Sequence, residues 1–109
     1  MAVTVFAEGS QTCSNATEHT LVATSTTAGV YQFFLDLNDL VGGESLEIRI
    51  KEEVRNSSGT QRVFWYDTVA NVQGEEKIWV SPAFMLLNGW AFSIEAVGTP
   101  VIPWDVRAA

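Results

Sequence analysis

The run from Leu46 to Lys51 sets the tightest limit on what this chain can become. Leu46, Ile48 and Ile50 alternate with Glu47, Arg49 and Lys51, and only an extended strand places every second side chain on one face. Short runs of similar character recur at 3–7, 19–24, 30–37, 61–71, 78–80, 83–87, 90–97 and 101–107. Turn signals separate them: Glu8-Gly9-Ser10, Ser25-Thr26-Thr27-Ala28-Gly29, Gly42-Gly43, Gln73-Gly74-Glu75-Glu76, Ser81-Pro82 and Gly98-Thr99-Pro100. A turn roughly every ten residues is the cadence of a sandwich or small barrel. The expected fold is all-β, an antiparallel β-sandwich of jelly-roll or Ig-like type with seven to nine short strands.

Local details follow from the same logic. Residues 10–18 are small and polar and read as a loop or a weak edge strand. Residues 30–37 fit a helical stripe as well as alternation; the run is short, aromatic and closed by turns, which selects a strand. Asn38-Asp39-Leu40 reads as a single helical turn. The Gly-containing connector 56–60 predicts a long hairpin between 46–54 and 61–71. Asn88-Gly89 predicts a second hairpin, joining 83–87 to 90–97.

With 109 residues there is room for one domain, 1–109, in which 1–15 reads as an extended N-terminal arm. Apolar residues make up 47% of the chain, enough for a real core without disulfide or metal support. Trp90, Phe92, Ile94 and Ala96 share one parity, and so do Ile102, Trp104 and Val106, which places both tryptophans inside. Other rings do not sort this way. Phe64-Trp65-Tyr66, Ile78-Trp79-Val80 and Phe33-Phe34 are consecutive, so apolar groups point to both faces of three strands. The surplus needs a loop, the N-terminal segment or another chain to cover it. The expected protein-contact residues are Phe64, Trp65, Tyr66 and Trp79, with Val3, Val5 and Phe6 from the N-terminal segment as a donor for strand addition.

Charge excludes several functions. Thirteen acids against six bases give −7, and the bases are scattered, which argues against nucleic acid and against anionic membranes as partners. Cys13 is the sole cysteine and His19 the sole histidine, so no internal disulfide and no zinc site are expected. His19 has Asp36, Asp39, Asp67 and Asp105 as notional partners, but no G-x-S-x-G elbow accompanies it. Glu52-Glu53 and Glu75-Glu76 diverge as neighbours on a strand and read as solvated corners rather than an acid/base pair. Asp36, Asn38 and Asp39 lack the spacing of a calcium loop, and Gly42-Gly43 lacks the Lys and Ser/Thr of a phosphate loop. The sequons at Asn15 and Asn56 matter only in a eukaryotic secretory setting. The N-terminus has neither the basic nor the apolar region of a signal peptide, and no apolar run is long enough to span a bilayer. The expectation is a protein that is not an enzyme and carries no cofactor and no metal.

The middle of the chain resembles a known group. Ala28-Gly29-Val30-Tyr31-Gln32-Phe33, Asp36-Leu37, the segment Gly42-Gly43-Glu44-Ser45-Leu46-Glu47-Ile48-Arg49-Ile50-Lys51 and the later Pro103-Trp104 are similar to small β-sandwich structural proteins of tailed bacteriophages. The likeness spans about residues 16–107 and rests on turn and strand patterns. It implies a virion component of the capsid decoration, or cement, type, made in the bacterial cytoplasm and bound to the head surface. Its implied partners are the major capsid protein and copies of itself in a symmetric oligomer. A neck, tail or head-completion subunit has the same sequence character. A carbohydrate-binding sandwich using Trp65, Tyr66 and Trp79 as a stacking platform is the rival from another class.

Overall fold

Among the described residues nine strands form from the alternating runs, and they stack as two antiparallel sheets with the apolar parity turned inward. A computed structural model describes residues 3–55, 59–70 and 77–109. The strands are β1 (Thr4–Thr12), β2 (Glu18–Ser25), β3 (Gly29–Asp36), β4 (Ser45–Glu53), β5 (Gln61–Ala70), β6 (Ile78–Val80), β7 (Phe84–Leu86), β8 (Trp90–Val97) and β9 (Val101–Ala108). One sheet runs β1-β9-β3-β6, with β7 also paired to β3; the other runs β2-β8-β4-β5. Every pairing is antiparallel.

That order is a jelly roll. The first and last strands lie side by side, and β6 and β7 act as two halves of one interrupted strand. Six of the links carry the chain from one sheet to the other: β1 to β2, β2 to β3, β3 to β4, β5 to β6, β7 to β8 and β8 to β9. The fold is the expected β-sandwich.

The core lies between the sheets. From β3 come Tyr31, Phe33 and Leu35; from β4 Leu46, Ile48 and Ile50; from β8 Trp90, Phe92, Ile94 and Ala96; from β9 Ile102 and Val106. Trp90 is fully buried and packs against Phe6, Tyr31 and Phe33 at centroid distances of 5.6, 4.6 and 5.9 Å. Its indole N–H donates to Thr27 O at 3.2 Å, and the Tyr31 hydroxyl donates to the same carbonyl at 2.6 Å, so neither ring buries an idle polar group. Trp104 is half-buried at the margin of this core.

Several local expectations are corrected. Glu8-Gly9-Ser10 does not end the first strand, which runs on to Thr12 alongside β9. Gly9 sits opposite Trp104, and a Cβ there would stand 3.0 Å from the indole, so the glycine makes room for a ring. The segment expected as an extended arm is thus the edge strand of a sheet in its own chain. Asn88-Gly89 does not close a hairpin, because β7 pairs with β3 while β8 pairs with β2 and β4. The Glu52 carboxylate accepts the N–H groups of Leu87 and Asn88 at 2.8 and 3.1 Å, and Asn88 Nδ2 donates to Glu53 O and Val54 O. Those bonds bend the chain across the sandwich in place of a hairpin ladder. Asn38-Asp39-Leu40 forms a turn closed by Leu40 N–H to Leu37 O, 3.0 Å, not a helix. The β4–β5 hairpin is present, with residues 56–58 of its connector outside the described residues. The turn expected at 73–76 also lies outside them.

The gap between β6 and β7 is held by Ser81. Its N–H donates to Phe33 O and its Oγ accepts Phe33 N–H, both at 2.9 Å, while Gln32 Nε2 donates to Ser81 O at 2.8 Å. Pro82 follows, with no N–H of its own to place.

Candidate interaction surfaces

The two sheets present opposite chemistry to solvent. On the four-stranded sheet, the residues facing out include Glu18 and Thr20 from β2, Ser93, Glu95 and Val97 from β8, Glu47, Arg49 and Lys51 from β4, and Val63, Tyr66 and Thr68 from β5. Six of them, Glu18, Glu47, Arg49, Lys51, Ser93 and Glu95, form one network. Arg49 reaches Glu47 at 2.6 Å, Glu95 at 3.2 Å and Glu18 at 3.5 Å. Lys51 Nζ meets Glu18 at 2.7 Å, and the Ser93 hydroxyl donates to the same carboxylate at 2.5 Å. The hydrogen bonds from Lys51 and Ser93 hold the Glu18 carboxyl below its ordinary range. Burial pulls the Arg49 guanidinium down, but its bond to Glu95 and the charges of Glu18 and Glu47 outweigh that, for a net rise. This face satisfies itself.

On the five-stranded sheet the outward positions of β3, β6 and β7 are largely apolar, while those of β1 and β9 are mixed. Phe34 pairs with Val80, Asp36 with Ile78, and Val30 with Met85. Met85 is 85% exposed, Ile78 64% and Val80 45%. Leu87, Val5 and Val101 add to the exposed set. Phe34 is capped by its own chain, the Arg107 guanidinium lying 3.7 Å over the ring. Beside it a shallow depression of about 550 Å³ is lined by Glu8, Asp36, Asp105, Phe34, Pro103 and Trp104, among others.

The residues singled out in the sequence separate into distinct environments. Trp65 and Trp79 both turn inward, half-buried, 5.6 Å apart, and each packs on the core. Trp79 Nε1 donates to Asp67 Oδ2 at 2.9 Å, which ties the flank of one sheet to the other. Phe64 and Tyr66 are about half exposed, at 47% and 51%. Strict alternation would have sent Phe64 away from Trp65. A bulge opposite Ile50 and Lys51 breaks that alternation, and Phe64 and Trp65 both meet Phe84, at 5.3 and 5.4 Å. Val3 and Val5 are exposed, whereas Phe6 turns in against Tyr31 at 5.0 Å and Trp90. The structure brings Phe64 and Trp65 together on Phe84, with Trp79 against Trp65, and keeps the N-terminal residues apart from them on β1. Sequence reasoning noted the two-sided Phe33-Phe34 pair without naming Phe34 as a contact, and missed Met85, Val30 and Leu87, whose signal was the outward parity of β3 and of the 83–87 run.

Most of the groups considered for chemistry have structural work, and Glu75-Glu76 lie outside the described residues. His19 Nε2 accepts the N–H of Ser14 at 2.9 Å, and Nδ1 lies 3.2 Å from Gln11 Nε2, so the ring braces the β1–β2 turn. Asp39 accepts Val101 N–H at 2.7 Å and Asp36 accepts Asn38 N–H at 3.0 Å. Asp105 pairs with Arg107 at 3.2 Å. Cys13 is buried, and burial pushes its thiol pKa up. Among the described residues no group of three or more His, Cys, Asp or Glu side chains is placed to hold a metal, and no helix is long and apolar enough to cross a membrane.

No family model, curated protein or solved structure matches this chain.

Proposed function

We propose that this chain is a non-enzymatic structural subunit that docks on another protein through the outer face of its five-stranded sheet. One observation carries the reading: Phe34, Ile78, Val80, Val30 and Met85 present apolar side chains outward from three adjacent strands, while the opposite face is closed by its own ion network. Apolar residues gathered on one face mark a contact surface in a way that scattered ones do not. Each exposed valine, isoleucine or methionine buried on docking adds about 1.5–3 kcal/mol before the costs of association. Phe64 and Tyr66, on the long edge strand β5, are placed for contacts between copies.

The likeness to phage virion proteins supplies the context, and a capsid decoration subunit is the reading we favour. A jelly roll by itself is shared by capsid, lectin and cupin domains, so the fold supports the role without selecting it. The acidic charge suits an exterior position, away from packaged nucleic acid. Repeated over many sites, even weak docking stabilises an assembled shell, because the subunit binds only the assembled state.

The test is co-sedimentation of the purified chain with phage heads assembled without it. Saturable binding that Val80→Asp or Met85→Asp abolishes, and Glu95→Gln leaves intact, supports the proposal. No sedimentation with heads, together with tryptophan fluorescence changes on adding glycans, replaces it with a sugar-binding module.

A further inference from the structure

We propose that the depression beside Phe34 recognises a basic side chain of the partner, an arginine or lysine flanked by apolar residues. This rests on the docking reading above and names the chemistry of the surface that is met.

The site shows on itself what it can hold. The Arg107 guanidinium lies 3.7 Å over the Phe34 ring, with Nε 3.2 Å and Nη2 3.4 Å from the two oxygens of Asp105. A ring face with a carboxylate beside it is the pairing that binds guanidinium and ammonium groups. Around that pair the depression keeps carboxylates that Arg107 does not neutralise. Among the described residues the Asp36 carboxylate accepts only the backbone N–H of Asn38, and the Glu8 carboxylate makes no hydrogen bond or ion pair. Three acids line the site against one base, and Pro103, Ile78 and Trp104 give it apolar walls.

That signature narrows the occupant. A second copy, set on the same face about a two-fold axis, would place these carboxylates against their own equivalents in a chain of net charge −7. An anionic polymer is repelled for the same reason. A basic protein segment suits both features: its cation meets the carboxylates of Asp36 and Glu8, while its apolar neighbours cover Ile78, Val80 and Pro103.

The test uses the whole chain, labelled with nitrogen-15, and two synthetic tetrapeptides, acetyl-Leu-Arg-Leu-Arg-amide and acetyl-Leu-Glu-Leu-Glu-amide. The basic peptide is expected to give saturable shifts at Gly9, Ser10, Phe34, Asp36 and the Trp104 indole, weakening as salt is added. Asp36→Asn keeps an acceptor for Asn38 and so preserves the turn; it and Glu8→Gln should each weaken the peptide about threefold, the scale of one exposed ion pair. No shifts, equal shifts from the acidic peptide, or shifts spread over the β4 and β8 outer face overturn the proposal. So does a concentration-dependent rise in mass that Glu8→Gln enhances, which would seat a second copy there. Peptide failure with head sedimentation intact removes this site and leaves the docking reading. Peptide binding without sedimentation removes the virion role and leaves the site.

Discussion

The two outer faces of the sandwich are made by the same device and reach opposite ends. On β4 the outward positions are Glu47, Arg49 and Lys51; on β3 they are Val30, Gln32, Phe34 and Asp36. Both alternate against a fully buried inward set. The four-stranded face spends its charges on one another, with Glu18 and Arg49 as hubs, and has little left to offer a partner. The five-stranded face leaves its aliphatic groups uncovered and its acids only partly paired. A strand pattern therefore decides which side is core, while the residues on the polar parity decide whether the far side is finished or open.

The comparison depends first on a shared scaffold. Trp90→Ala should remove about 3–5 kcal/mol, a cost typical of truncating a buried ring, and should disturb both faces together. Chemical denaturation with loss of near-ultraviolet ellipticity measures it; a change confined to one face would mean the sheets are stabilised separately. Arg49→Ala comes next. It leaves Glu18, Glu47 and Glu95 facing one another and should cost about 1 kcal/mol, falling with added salt.

Glu18 sharpens the contrast through pH. Its carboxyl is depressed in the folded chain, so its contribution is present above the unfolded value near 4.5 and fades as pH falls through the lower folded value. Glu18→Gln should flatten that part of the acid-stability profile by about 1 kcal/mol or less. The smallest effect belongs to the open face. Met85→Ser and Ile78→Ser should change stability by less than about 0.5 kcal/mol in equilibrium unfolding, since neither side chain is covered in the free chain. Large losses there would show that the face is already packed against something.

Much of the architecture was legible along the chain. The parity of Leu46, Ile48 and Ile50, and of Trp90, Phe92, Ile94 and Ala96, marks the core sides of β4 and β8 directly. Strand order was not readable, because β1 pairs with β9 across nearly the whole chain and no local signal encodes such a partner. Asn88-Gly89 carries a hairpin signal that Glu52, distant in sequence, overrides by taking the N–H groups of Leu87 and Asn88. Phe64-Trp65-Tyr66 announced a surplus of rings; the bulge that turns Phe64 toward Phe84 had no mark in the sequence. The depression beside Phe34 draws on β1, β3, β6 and β9, so it exists only once the sheet is assembled.

The Ser81-Pro82 interruption has a consequence for crowding. A sheet border that runs unbroken invites another border to zip onto it, and subunits held close together on a common surface would meet that hazard constantly. Here the border is cut into two three-residue pieces, with a serine turned inward and a proline that offers no donor. Neighbours can press against the flat of this sheet, but they cannot grow it into a fibre along this side.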